Sequence, residues 1–358
     1  MNDAPEVLFE RRGSAGIVTL NRPRALNAVT LVMVRALRQQ LDAWRDDPSV
    51  TRVIITGVGD RAFSAGGDIR QVWELGQAGR QEEALIYWRE EYALNTVIKH
   101  YPKPYVALID GIVMGGGVGV SVHGSHRVAG DRFLFAMPEV SIGLFPDVGA
   151  TWFLPRLPGE LGAYCALTGE RLNAADGVAA TIASLHVPSS RFADLTDALC
   201  GAVPVEATLA AFAAPAGERK VAALRPAIDR LFRGETVGRI LAALDAETSG
   251  DGTDAEFAKV TAASIRAKSP TSLKLALAQM RAGAKLSFEA CMAAEFRIVS
   301  RVIHGHDFYE GVRAVIVDKD NAPRWQPPVL TEVTDAEIAR HFAPLPGGEW
   351  TMPKLDRT

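Results

Sequence analysis

The chain has 358 residues and a formal net charge of −3, with 48% of its residues hydrophobic and 23% charged. These proportions are typical of globular proteins and exclude a disordered or collagen-like chain, and the slight acidic excess argues against a nucleic-acid-binding protein. At roughly 150 residues per domain, the length predicts two domains, or one large domain with an extension.

The cysteines and the N-terminal segment indicate a reducing compartment. Cys165, Cys200 and Cys291 lie far apart and form neither a CxxC pair nor a disulfide framework. The first six residues are partly acidic and lack the apolar segment of a secretory signal. No apolar run reaches the roughly 18 residues of a membrane-spanning helix. We therefore expect a cytoplasmic protein that does not associate with membranes.

Apolar strands and helical patterns alternate along the first half of the chain. The predicted strands cover residues 7–11, 16–20, 52–56, 105–109, 126–129 and 133–136, and the predicted helices cover 30–46, 81–100 and a small-residue run ending near 123. This alternation predicts an α/β core with much parallel pairing. From about residue 205 strands fade, and helical periodicity continues to about 315 after a linker at 213–217. We expect one domain over residues 1–205 and a helical region over 206–358.

Two glycine-rich turns are the best candidates for chemistry. One contains Gly66 and Gly67, and the other spans residues 115–119; each follows an apolar strand. Because glycine has no Cβ, a ligand can approach such a backbone closely and reach its N–H groups. Two of these turns facing each other would form a two-amide oxyanion hole. The alternative is that the glycines only permit tight turns and close packing. Their spacing does not fit a dinucleotide-binding motif.

Acidic residues near the second turn are candidate proton carriers. Glu139 and Asp147 lie in an apolar segment punctuated by glycine and proline. If they are buried, these acids must be paired, hydrogen-bonded or shifted in pKa, which suits a general base or nucleophile. The alternative is that each is a cap or a surface turn acid. Glu90 and Glu91 fit solvated helix charges first.

Metal and serine-hydrolase chemistry have little support in the sequence. His304, His306 and Asp307 lie close together, but their spacing fits no standard ligand pattern. No G-x-S-x-G motif is present. We expect neither a metal site nor a serine nucleophile of that type.

Four segments in a fixed order carry a resemblance to a known family. The sequence resembles the enoyl-CoA hydratase/isomerase (crotonase) superfamily. The matching segments are Asn21–Pro23 with Ala25–Ala28, then Ala62–Ile69, Lys103–Ala107 and Pro138-Glu139. The resemblance implies an α/β fold, a crotonase-like spiral of ββα turns with a helical C-terminal region that covers the active site. It also implies that residues 1–205 form an acyl-CoA-binding core.

Other segments are similar to one branch of that superfamily, which hydrolyses the thioester of 3-hydroxyisobutyryl-CoA. They include Arg89–Tyr92, Phe135–Glu139, Ile142–Gly149, Ser269–Ser272 and Gly305–Phe308. By this resemblance the amides of Gly67 and Gly116 hold the thioester oxygen, and Glu139 and Asp147 are the catalytic acids. The same resemblance makes Glu91 a substrate contact, and it places along the CoA moiety Ala65, Asp68, Ile69 and, at the adenine end, Ala25.

One departure from the superfamily bears on the reaction. Hydratases carry a second glutamate two residues after the Gly-Gly-Gly run, where this chain has Gly119. The resemblance therefore favours hydrolysis, with 3-hydroxypropionyl-CoA as a second substrate that fits, and with Glu139 either base or nucleophile. The alternatives are an enoyl-CoA hydratase or isomerase, and a non-catalytic acyl-CoA- or RNA-binding relative. No metal or redox cofactor is implied, since CoA belongs to the substrate, and a trimer or hexamer is the implied oligomer.

Overall fold

The computed structural model describes residues 4–352, and the chain divides into two compact units. The first unit contains residues 4–68, 90–136 and 171–220, and the second contains 69–89, 137–170 and 221–352. Residues 1–3, which begin the N-terminal segment considered above, lie outside the described residues, as do 353–358. Both units are thus assembled from alternating stretches of chain. The domain division after residue 205 stays a prediction.

Within residues 4–352, all strands belong to the first unit. They form a six-stranded sheet in the order β1-β2-β3-β5-β7-β10 and a smaller sheet in the order β4-β6-β8-β9. Within the larger sheet only β1 and β2 pair antiparallel, which bears out the expected parallel core. The strands are β1 (Val7–Arg12), β2 (Ala15–Leu20), β3 (Arg52–Gly57), β4 (Ala62–Ser64), β5 (Tyr105–Ile109), β6 (Ile112–Met114), β7 (His126–Ala129), β8 (Leu134–Ala136), β9 (Leu172–Asn173) and β10 (Leu185–His186).

Helices occur in both units, and the described residues after β10, up to 352, contain helices but no strand. They are α1 (Leu31–Asp46), α2 (Ile69–Gln77), α3 (Gln81–Lys99), α4 (Gly116–Gly119), α5 (Ala150–Phe153), α6 (Leu161–Thr168), α7 (Ala174–Ala179), α8 (Phe192–Leu199), α9 (Val205–Phe212), α10 (Arg225–Leu231), α11 (Val237–Glu247), α12 (Thr253–Arg266), α13 (Pro270–Gly283), α14 (Phe288–Val302), α15 (His306–Val312) and α16 (Asp335–Phe342). The predicted α/β fold with a helical C-terminal region is confirmed. Among residues 4–352 we find no helix long and apolar enough to cross a membrane.

Local sequence explains the well-predicted elements. Helix α1 begins after Thr30, whose hydroxyl accepts the Met33 amide at 3.1 Å as an N-cap. Its buried side chains recur at helical spacing, which is the pattern of an amphipathic helix; they are Met33, Val34, Leu37, Leu41 and Trp44. β3 and β5 are buried apolar runs, as expected for strands in the middle of a parallel sheet.

The structure differs from the sequence-based expectations next to both glycine-rich turns. The helix expected to run to about residue 123 ends at Gly119, because a segment this rich in glycine has little helix propensity. The turn that contains Gly66 and Gly67 lies between the short strand β4, which is not among the predicted strands, and α2. Three-residue strands carry too few residues for a period-two pattern to be visible.

Candidate active site

The turn after β4 leaves one glycine amide without a backbone partner. Val29 N donates to Gly66 O at 2.8 Å, and Asp68 N donates to Val29 O at 2.8 Å. These two bonds fix the segment on either side of Gly67, which forms an isolated bridge with Val29. Within the described part of the chain, Gly67 N donates no hydrogen bond. Its N–H is therefore open to an acceptor.

The second glycine turn, after β6, lies directly against the first within the same unit. Gly115 has φ +44°, a conformation that side chains other than hydrogen rarely allow. A Cβ added to Gly116 would lie 3.1 Å from Gly67 N. As the first residue of α4, Gly116 also has an N–H that no earlier helical turn can accept. The structure thus brings the two predicted amides together.

Glu91 is buried beside these amides. It is only 2% exposed, and its Oε1 lies 2.6 Å from the position of a Cβ on Gly116. The interpretation of Glu91 as a solvated helix charge was wrong, because α3 is buried on every side from residue 91 to 98. Its neighbour Glu90 does meet that description, since it is partly exposed and paired with Arg35 at 2.7 Å.

The residues assigned to the CoA moiety lie around one network in the first unit, except Ile69. Ala65 N donates to Leu26 O at 2.9 Å, which joins the Ala62–Ile69 segment to the Ala25–Ala28 segment. Arg22 pairs with Asp68 at 3.0 Å. Ala25 is exposed in a 3-10 helix, and Ala65 and Asp68 are half-buried. Ile69 is half-buried as well and begins α2 in the second unit.

Glu139 belongs to the second unit, where it begins a 3-10 helix. It is 5% exposed, and its Oε2 is buried with no hydrogen-bond partner among residues 4–352. Burial raises the pKa of Glu139 well above its ordinary value, and the charges of Asp147 and Glu295 raise it further. An acid in this environment takes up a proton readily, as a general base must.

Asp147 lies in a buried turn of the same unit. It is 4% exposed, so neither it nor Glu139 is a surface turn acid. Ala150 N donates to Asp147 O at 2.9 Å, which closes the turn before α5. Together with Glu139, Asp147 forms the pair of carboxyl groups that the sequence singled out.

Sequence reasoning missed a third acid, Glu295 on α14. It is fully buried and accepts hydrogen bonds from Gly149 N at 2.8 Å and Thr151 N at 2.9 Å. Burial raises its pKa to about 8, the Asp147 charge adds to this rise, and the hydrogen bonds oppose it. A signal was present: Glu295 follows the buried Cys291 and Met292 by four and three residues, so it falls on the apolar face.

Asp307, which lies next to His306, makes contacts that hold the second unit together. Asp307 accepts from Ser269 Oγ at 2.5 Å and from Gln326 N at 2.8 Å, and the His306 ring lies 3.2 Å from it. This carboxylate therefore joins three segments of the second unit. Across residues 4–352 no cluster of three or more His, Cys, Asp or Glu side chains is arranged to hold a metal ion.

Comparison with known proteins assigns the family. The family model described as enoyl-CoA hydratase/isomerase matches residues 15–342. The chain belongs to this family. Its curated relatives include the protein named 3-hydroxyisobutyryl-CoA hydrolase, mitochondrial, from Danio rerio, which is 45% identical over 95% of this chain and 90% of the relative. The Homo sapiens protein of the same name is 44% identical over 96% and 89%.

Solved structures of the family superpose closely on this chain. A structure titled carnitinyl-CoA dehydratase, from Mycobacterium thermoresistibile, matches with a TM-score of 0.92 and 41% identity, covering 98% of this chain and 100% of the other. One titled enoyl-CoA hydratase, from Rhodobacter sphaeroides, gives 0.89 and 38%, covering 97% and 100%. The resemblance found from the sequence motifs is confirmed.

Proposed function

We propose that this chain hydrolyses 3-hydroxyisobutyryl-CoA to 3-hydroxyisobutyrate and CoA. The observation that carries this proposal is the sequence identity of 44–45% to curated proteins named for that reaction. The alignment covers nearly the full length of this chain and of each relative. The chain is thus an acyl-CoA thioester hydrolase. Free-thiol release from the hydroxyacyl-CoA tests the assignment directly.

In this proposal Gly67 and Gly116 stabilise the charge that develops on the thioester oxygen. Each supplies a backbone N–H, and the two turns that carry them lie in contact. One donor of this kind typically contributes about 3–4 kcal/mol of transition-state stabilisation. Glu91, buried beside Gly116, contacts the acyl group, and Ala25, Ala65, Asp68 and Ile69 are the residues proposed to contact the CoA moiety.

Glu139 and Asp147 carry the acid–base chemistry. In one route Glu139 takes a proton from water as the water oxygen attacks the carbonyl carbon, and CoA leaves as the thiolate. In the other route the Glu139 carboxylate attacks, the C–S bond breaks, and water then hydrolyses the mixed anhydride. Asp147 positions water or the substrate hydroxyl and shifts the pKa of Glu139. Trapping with hydroxylamine separates the routes, since only the anhydride would label Glu139.

The proposal requires no metal or redox cofactor, because every step uses side chains, amides and water. Activity should therefore survive prolonged treatment with EDTA. The substrate is a small-molecule acyl-CoA, and 3-hydroxypropionyl-CoA, one methyl smaller, should also be turned over, since one methyl in a pocket is worth only about 1–3 kcal/mol. We propose a homo-oligomer, trimer or hexamer, which light scattering would measure. A cytoplasmic location stays a prediction: the curated relatives are named mitochondrial, and cell fractionation would decide.

A second candidate function is hydration or dehydration of an acyl-CoA double bond. The titles of two close structures, carnitinyl-CoA dehydratase and enoyl-CoA hydratase, favour it. Gly119 speaks against it, since the second glutamate of hydratases is missing there. The loss of crotonyl-CoA absorbance would reveal this activity. A purely acyl-CoA- or RNA-binding protein would show neither reaction, and a salt-dependent RNA shift would identify the latter.

A further inference from the structure

The turn that carries Asp147 has a backbone conformation that its own sequence disfavours. Its two central residues, Val148 and Gly149, have φ +51° and +88°. Positive φ at both positions is typical of type I′ turns, which favour glycine, asparagine and aspartate. For a β-branched residue such as Val148 it is an outlier that persists only where the surroundings enforce it.

Glu295 enforces the turn from one side. Its Oε2 accepts from Gly149 N and its Oε1 from Thr151 N, at 2.8 and 2.9 Å. Both donors lie at the start of α5, where helical N–H groups lack a partner within the helix. Only a carboxyl group presents an oxygen to each of these amides, since a glutamine in its place would present one oxygen and one NH₂ group.

Gln279 on α13 holds the turn from another side. Its Nε2 donates to Pro146 O at 3.0 Å and to Thr151 Oγ1 at 2.8 Å. One helical turn further along, Gly283 lies so close that an added Cβ would be 1.9 Å from Thr151 O. The residues on both sides of Asp147 are thus fixed by two helices that are more than 120 residues away in sequence.

We infer that Glu295 is a positioning residue, which holds Asp147 in place by fixing this strained turn together with Gln279. The inference rests on the proposed function, in which Asp147 takes part in hydrolysis. Glu295 does not touch the substrate in this account. Its contribution is geometric, and a displacement of about 1 Å at a reacting group can lower a rate by about 100-fold.

Glu295 has a second, electrostatic consequence that a purely structural residue would lack. Its charge raises the pKa of Glu139, and the charge of Asp147 raises that of Glu295. Cys291, one turn earlier on α14, also senses the charge of Glu295, and its thiol pKa is raised to about 12, chiefly by burial. Over the pH range in which Glu295 is ionised, a neutral side chain at position 295 should therefore lower the pKa of Glu139.

The test is Glu295→Gln in the full-length enzyme, with Glu289→Gln as the matched control. Glu289 lies on the same helix and is exposed. We expect Glu295→Gln to lower kcat by about 10- to 100-fold with KM close to wild type. We also expect the acid limb of its kcat/KM–pH profile to move to lower pH. A kcat and a pH profile equal to those of Glu289→Gln would overturn the inference.

Two further measurements keep the inference testable. If Glu295→Gln does not fold, Thr151→Val replaces it. This variant removes the hydroxyl that Gln279 contacts but retains the backbone N–H and the side-chain volume. We expect it to lower kcat, and an unchanged kcat would count against the inference. If the wild type releases no thiol from any hydroxyacyl-CoA, the proposed function has failed instead. In that case, amide hydrogen exchange of the 146–151 segment tests whether Glu295 fixes the turn. We expect faster exchange in Glu295→Gln than in the wild type, and unchanged exchange would contradict the inference.

Discussion

The carboxyl group of Glu91 lies so close to the α-carbon of Gly116 that any side chain at position 116 would collide with this carboxyl group. The Glu91 Oε1 lies 2.6 Å from the place that a Cβ would take, and Gly67 N lies 3.1 Å from it. Glycine at 116 is therefore required by the packing of the two turns. The same packing places the buried carboxyl group of Glu91 next to the Gly67 amide within this unit.

Gly116→Ala should lower kcat because the added methyl group must push Glu91 or the Gly67 amide away. Misplacing one oxyanion donor typically costs about 100-fold in kcat. The measurement is steady-state thiol release, with circular dichroism to verify folding. Gly347→Ala is the matched control, since no atom lies within 4 Å of a Cβ there. Equal kcat values for the two variants would contradict the role of the turn.

Glu139→Gln should nearly abolish turnover while CoA still binds. The amide has the same size as the carboxyl but cannot accept a proton or form an anhydride, so a fall of about 10²–10⁴-fold in kcat is expected. Calorimetry would measure CoA binding, and Glu82→Gln, at an exposed position, is the control. Full turnover by Glu139→Gln would show that another group activates water.

Asp147→Asn should shift the pH dependence of the enzyme. The Asp147 charge contributes to the raised pKa of Glu139, so its removal lowers that pKa. If Glu139 reacts in its ionised form, the acid limb of kcat/KM moves to lower pH, while kcat itself falls. Asp251→Asn, on the exposed surface, should leave the limb in place. An acid limb that does not move in Asp147→Asn would show that the Asp147 charge does not influence the pKa of Glu139.

The raised pKa of Glu295 predicts that the free energy of unfolding depends on pH. Its pKa is about 8 in the folded chain and 4.5 when unperturbed, so the folded state holds a proton that the unfolded state releases between these values. Stability from this group is complete below about pH 4.5 and declines as the pH rises toward 8. The Tm of the wild type should therefore fall more steeply over this range than that of Glu295→Gln. Parallel curves would mean that Glu295 is ionised throughout.

Local patterns in the sequence predicted six of the ten strands described within residues 4–352, and the two glycine turns, because those features depend on neighbouring residues. The runs that became β3 and β5 are apolar and end at turns, which identifies them without tertiary information. The contact between Gly67 and Gly116 followed from the family motifs and from the repeated order of strand and turn. The expectation of an α/β fold rested on the same alternation.

The contacts of individual acids could not be predicted in this way. Glu90 and Glu91 are adjacent and chemically identical, yet one pairs with Arg35 at the surface and the other is buried beside Gly116. Glu295 contacts a turn 146 residues earlier, so no local pattern reveals its partner. The positive φ of Val148 is likewise imposed by distant helices and contradicts its own preference. The roles assigned to the site residues stay predictions until variants are measured.

Thiol release, measured side by side from 3-hydroxyisobutyryl-CoA and crotonyl-CoA, tests the central claim most directly. The account predicts rapid release of free CoA from the hydroxyacyl substrate, its near-absence with Glu139→Gln, and no loss of crotonyl absorbance. Loss of crotonyl absorbance without thiol release would contradict hydrolysis and identify a hydratase that works without the glutamate missing at Gly119.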